Sequence, residues 1–173
     1  MEEKFKMWME KSSSILKQRI RENKFNAVDF EEELLVREEL YRTTQHNKLG
    51  PEITRKTIEG EYLVVGCNST DAVSGYIGVL TLSREEHQIR ASWLIEGYKE
   101  QNGYGLLFGN ILCLNFNYES GINEYDGIVA YHFMTNECIG GLWTEQISDT
   151  IGYEMGRKLA YVKKDPLDYF GIN

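Results

Sequence analysis

From residue 60 onwards, apolar and polar residues alternate in short runs separated by turn-forming clusters. Over 87–95, Ile89, Ala91, Trp93 and Ile95 fall on one side of a two-residue period, and Gln88, Arg90 and Ser92 on the other. Over 111–118, Leu112, Leu114, Phe116 and Tyr118 oppose Cys113, Asn115 and Asn117. Side chains alternate between faces along a strand, so this period marks strands with one buried face. The pattern predicts eight strands at 61–68, 75–83, 87–95, 103–109, 111–118, 127–135, 138–146 and 150–157, with a corner at Asn110. The connections, such as "REE", "TNE" and "QISD", are too short for crossover helices, so each strand must run antiparallel to the one before it.

Glycine is frequent inside these runs, at 75, 78, 103, 105, 109, 140, 141 and 152. Glycine weakens a flat strand but permits sharp coiling and close approach of facing aromatics. The chain is therefore expected to form an eight-stranded antiparallel up-and-down barrel, with a β-sandwich as the competing architecture. The expected inward set includes Tyr62, Trp93, Leu106, Phe108, Phe116, Tyr131, Phe133 and Trp143. Side chains this large predict a mostly filled interior, with any pocket confined to one mouth.

The first quarter has a different period. Phe5, Trp8, Met9, Ile15, Leu16 and Ile20 form an approximate helical stripe. A second helix is expected to start at Asn26, with Phe25 and Phe30 placed as a hydrophobic staple and Asp29 and Glu31 to Glu33 complementing the helix dipole. Gly50-Pro51 ends it. The expected organisation is an N-terminal helical hairpin at 1–48, a linker at 49–59, the barrel at 60–160 and a tail at 161–173. The apolar stripe is expected to pack on the barrel or close its end; Trp8 and Met9 would alternatively serve a partner or dimer surface.

Charge narrows the partners. The net charge is −8, with 10 basic against 17 acidic side chains over residues 46–173. Such a body is a poor general binder of phosphate backbones, and no nucleic-acid partner is expected. A cationic protein partner or a homodimer is compatible with it. No run of eighteen apolar residues occurs, so no membrane partner is expected, and the mixed-charge N-terminus does not read as a secretory signal. Cys67, Cys113 and Cys138 are widely spaced within apolar strand patterns and read as buried reduced thiols, which suits a cytoplasmic protein.

The phrases "GEYLVVGCN", "GYIGVLTLS", "ASWLIEG", "GYGLLFGNILCLNFNY", "GIVAYHF", "GGLWTE" and "GYEMG" together resemble small bacterial barrels with an avidin-like or calycin-like fold. The resemblance spans about residues 60–160, pairs a Gly-x-Tyr opening with a later Gly-x-Trp, and implies a small closed barrel; its glycine and aromatic spacings are ones that barrel geometry alone can impose. Biotin binding is not implied: Gly60-Glu61-Tyr62 stands where avidins carry Gly-x-Trp, and only Trp93 and Trp143 are available in the barrel.

Catalytic signatures are missing from the sequence. It contains no nucleophile elbow, phosphate loop, His-Glu-x-x-His or Cys-x-x-Cys, and "GYGLLFG" lacks both the spacing and the strand–turn–helix setting of a dinucleotide fingerprint. No cofactor, metal or catalytic residue is assigned, and the chain reads as non-enzymatic. Glu154 stands between Gly152 and Gly156; with both glycines inward, its carboxylate points into a barrel mouth and needs a partner there. The expected function is a soluble binding protein that holds a small, partly apolar ligand at one mouth, through Trp93, Tyr131, Trp143 and Glu154. The alternative is an interaction module of inhibitor or immunity type, acting through its acidic surface and N-terminal helices.

Overall fold

The structure, a computed structural model, describes residues 53–68, 75–147 and 151–161; the helical hairpin expected over 1–48 lies outside them. Eight strands follow one another: β1 (Gly60–Asn68), β2 (Tyr76–Glu85), β3 (Gln88–Ile95), β4 (Lys99–Phe108), β5 (Ile111–Ser120), β6 (Asn123–Phe133), β7 (Cys138–Glu145) and β8 (Ile151–Lys158). Each pairs antiparallel with its predecessor, and β8 returns to β1, so the sheet closes into an up-and-down barrel. Closure leaves no free strand edge. Among the described residues the only helix is a 3-10 turn at Leu159–Tyr161.

One end of the barrel is filled and sealed. Tyr62, Leu80, Leu82, Ile89, Leu112 and Phe133 lose essentially all contact with solvent there, each burial stabilising by about 1.5–3 kcal/mol. A turn stapled by Thr54 and Thr57 inserts Ile58 beneath them. The Tyr62 hydroxyl lies within bonding reach of the Ile58 carbonyl (2.8 Å) and the Asn136 carbonyl (3.2 Å), so its polar tip is satisfied inside the seal. Lys158 Nζ ties down the turn by donating to the Thr57 carbonyl at 2.8 Å.

β4 departs from the sequence-based expectation. Leu106 and Phe108 point outward, 63% and 88% exposed, and the inward row is Gln101, Gly103, Gly105 and Leu107. The reason is the close approach of β5. A Cβ on Gly103 would lie 1.9 Å from the Asn115 carbonyl oxygen, and one on Gly105 would lie 1.8 Å from that of Cys113. Only glycine fits at these two positions, so the middle of the inward row carries little apolar signal and the outward Leu106 and Phe108 imitate a core. The corner between β4 and β5 turns on Gly109, at φ +62°.

The outer wall has two characters. Leu63, Val65, Ile77, Val79 and Tyr153 alternate with inward residues on β1, β2 and β8, yet they are buried as well. On β4 to β7 the corresponding row exposes Tyr104, Leu106, Phe108, Ile128 and Leu142. The cysteines divide in the same way. Cys67 is buried and Cys138 half-buried, but Cys113 is exposed, contrary to the expectation of three buried thiols. Cys113 pairs with Leu106 and Ala130 across the outer apolar row, where hydrophobic alternation does not signify burial.

Candidate functional site at the open mouth

Opposite the sealed end, the barrel opens into a cavity of about 330 Å³. Its construction follows one rule, repeated around the mouth: a large aromatic faces a glycine directly across the neighbouring strand. The pairs are Tyr76 with Gly66, Phe116 with Gly127, Tyr131 with Gly141, and Trp143 with Gly152. Each ring leans over its glycine. A Cβ on Gly66 would meet the Tyr76 ring at 2.3 Å, one on Gly127 would meet Phe116 at 2.2 Å, and one on Gly152 would meet Trp143 at 2.0 Å. Aromatic–glycine pairing of this kind covers exposed backbone and pins the register.

Glu154 sits where these pairs converge. On β8 its cross-strand neighbours are Gly66 of β1 and Gly141 of β7, so nothing flanks its side chain and the aromatics can reach over to it. It is 3% exposed. The Tyr76 hydroxyl donates to Oε2 at 2.6 Å, the Tyr131 hydroxyl donates to Oε1, and Trp93 Nε1 lies 3.4 Å from Oε1 and 3.1 Å from the Tyr131 oxygen. Burial raises the Glu154 carboxyl above its ordinary value, while the bonds from Tyr131, Tyr76 and Trp93 pull it back towards ionisation. Burial and the adjacent carboxylate push both tyrosine hydroxyls well above their usual range, so they remain donors.

All four residues assigned from the sequence therefore line one cavity. Trp93 and Tyr131 are buried and Trp143 is half-buried; Trp143 Nε1, packed over Gly152, has no hydrogen-bond partner among the described residues. The sequence reading missed Tyr76, whose partner lies 78 positions away, and the polar rim. On that rim, Lys99 places its ammonium 3.7 Å from the centroid of the Tyr118 ring. The Tyr118 hydroxyl donates to Glu145 at 2.7 Å. Glu96 adopts φ +54°, a strained conformation for a residue with a side chain, and its N–H is held by the Ile77 carbonyl at 2.8 Å. Burial lowers the Lys99 ammonium from its ordinary value, and Glu145 and Glu96 act against that. The available signal was the alternation Lys99, Gln101, Gly103, which places Lys99 in the inward row once β4 is read in its correct phase.

Among the described residues no cluster of three His, Cys, Asp or Glu could hold a metal ion, and no helix is long and apolar enough to cross a membrane. His132 faces outward on β6 and is in contact with Asn110. A second, broader depression of about 730 Å³ lies on the outer wall of β4 to β7, beside Leu106, Cys113, Ile128 and Leu142. It is the larger of the two but offers no buried charged group, whereas the mouth gathers aromatic rings and a buried carboxylate.

No family model matches the chain, and no curated protein matches it. Solved structures do. A redesigned β-barrel, b11L5F_LGL, superposes with a TM-score of 0.54 at 8% identity, covering 63% of this chain and 97% of that one. The redesigned barrel mFAP1, bound to DFHBI, gives 0.47 at 14% identity over 60% of this chain and 97% of that one. A DUF3598 protein of unknown function from Nostoc punctiforme gives 0.40 at 9% identity over 63% of this chain and 50% of that one. At such identities the likeness concerns the barrel fold alone.

Proposed function

We propose that this protein is a non-enzymatic barrel that binds a small, partly apolar molecule at its open mouth. Trp93, Tyr131 and Trp143 form the wall, and Glu154 is the polar group at the base. One observation carries this reading. In a barrel filled at its other end, four aromatic–glycine pairs and a buried carboxylate converge on a cavity of about 330 Å³. That volume lies at the lower end of the range for ligand pockets, which are typically apolar with a few convergent polar groups. Glu154 accepts from neutral donors and has no base or nucleophile bonded to it among the described residues, an arrangement suited to recognition. The three free cysteines fit a reducing cytoplasm.

The test is a small-molecule screen read on the indole N–H resonances of Trp93 and Trp143, assigned by Trp→Phe variants. Hits should move both signals together and leave backbone resonances at the sealed end unchanged. If no compound moves either indole at millimolar concentration, the proposal fails. A second reading, an interaction module, is favoured by the exposed row Leu106, Phe108, Ile128 and Leu142, since a broad exposed apolar patch marks contact surfaces. Concentration-dependent sedimentation that Leu106→Lys abolishes would support it.

A further inference from the structure

Among the described residues, three carboxylates and one ammonium line the mouth: Glu96, Glu145, Glu154 and Lys99. Their partners matter more than their number. Glu154 is bonded by the hydroxyls of Tyr76 and Tyr131, Glu145 by that of Tyr118 at 2.7 Å, and Glu96 by that of Tyr98 at 3.0 Å. These hydroxyls orient the carboxylates, and Glu145 and Glu96 also act on the Lys99 ammonium. Acids outnumber the one ammonium among the described residues of the lining, so the field at the mouth is negative, inside walls of Trp93, Phe116, Tyr118 and Trp143 whose ring faces are themselves negative. Phe116 is packed edge-on to both Trp93 and Trp143, with centroids 6.1 Å and 6.4 Å away, so the rings form a continuous wall. One cation already uses this environment, since Lys99 Nζ lies over the Tyr118 ring at 3.7 Å.

We infer that the ligand of the mouth is an organic cation: an ammonium group on a small apolar body, seated against the aromatic wall within the field of Glu96, Glu145 and Glu154. Lys99 marks the position with its own ammonium. Aromatic walls and carboxylates are the usual means of recognising quaternary and alkylated ammonium groups, and the attraction grows where water is excluded. Anionic ligands would meet more carboxylates than ammonium groups among the described residues. Neutral ligands would gain the apolar contact but nothing from the field. Lys99 is then a competitor whose ammonium the ligand must displace from Tyr118 or share the mouth with.

This inference rests on the mouth being the ligand site, and the experiment separates the two claims. Choline, its neutral isostere 3,3-dimethylbutan-1-ol, benzyltrimethylammonium, benzyl alcohol and benzoate are titrated into the full chain, following the Trp93 and Trp143 indole signals. Each cation should bind at least tenfold more tightly than its neutral counterpart, with benzoate the weakest. Lys99→Met keeps the apolar stem and removes the competing charge, so cation affinity should rise several-fold. Glu145→Gln should lower it several-fold, with both folds verified by circular dichroism. Neutral or anionic compounds matching the cations, or Lys99→Met weakening choline, would overturn the cation assignment while leaving the mouth as a binding site. No response of either indole to any of the five compounds would overturn both.

Discussion

Gly105→Ala adds one methyl group to the inward row of β4. The new Cβ would lie 1.8 Å from the Cys113 carbonyl oxygen and 2.8 Å from the Leu114 Cα, short of ordinary contact at 3.4 Å by about 1.6 Å in the worse case. The obstructing atoms belong to the backbone of β5, which is fixed by its ladders to β4 and β6, so no side-chain rotation relieves the clash. Overpacking a well-filled site costs roughly 1–3 kcal/mol, and sometimes more. Separating the strands also weakens one or two ladder hydrogen bonds, at about 0.5–1.5 kcal/mol each. The smaller unfolded-state entropy of alanine returns only about 0.4–1 kcal/mol. A net loss of about 3 kcal/mol follows, or roughly 6–12 °C in Tm for a chain of this length. Gly109→Ala is the control: its Cβ would meet nothing within 4 Å, and it carries only the left-handed backbone penalty of about 1–2 kcal/mol. Thermal and urea unfolding followed by circular dichroism measure both. If Gly105→Ala proves no more destabilising than Gly109→Ala, the close approach of β4 and β5, and with it the inward assignment of the glycine row, is wrong.

Trp93→Ala should cost roughly 3–5 kcal/mol in urea unfolding through lost burial and a cavity, and Trp143→Ala distinctly less because that ring is only half-buried; equal losses would contradict their placement. Glu154 has its carboxyl raised by burial, so the folded state holds the proton more tightly than the unfolded chain. Its contribution to stability is therefore greatest below the unfolded value and declines as pH rises towards the folded one. Glu154→Gln should gain on wild type across that window and then run parallel to it; a constant difference from acid to neutral pH would refute the assignment. Native-state titration with a thiol reagent should modify exposed Cys113 first and Cys67, buried with its thiol pushed up to about 11, last; equal rates at these two would contradict their placement.

The barrel was legible because its turns and its period of two are local properties. β3, β5 and β6 each carry an apolar row whose phase the sequence reveals directly, and Trp93 and Tyr131 fall on the inward side accordingly. β4 was misread because a steric demand from β5 replaced apolar residues by glycine on the inward side. Glu154 stood out through its flanking glycines. Its partner Tyr76 did not, because that contact depends on β1 lying between β2 and β8 in the closed ring. Lys99 and Glu145 were hidden for a related reason, since charged residues near strand ends usually face solvent and only barrel closure turns them towards a common mouth.

The most direct test of the ligand-binding account is a crystal structure of the protein with the tightest-binding compound of the titration panel. The account predicts density for that compound between Trp93 and Trp143, above Glu154, with the Lys99 side chain moved away from the Tyr118 ring. Density confined to the outer wall beside Leu106 and Ile128, with the mouth filled only by water, would contradict it.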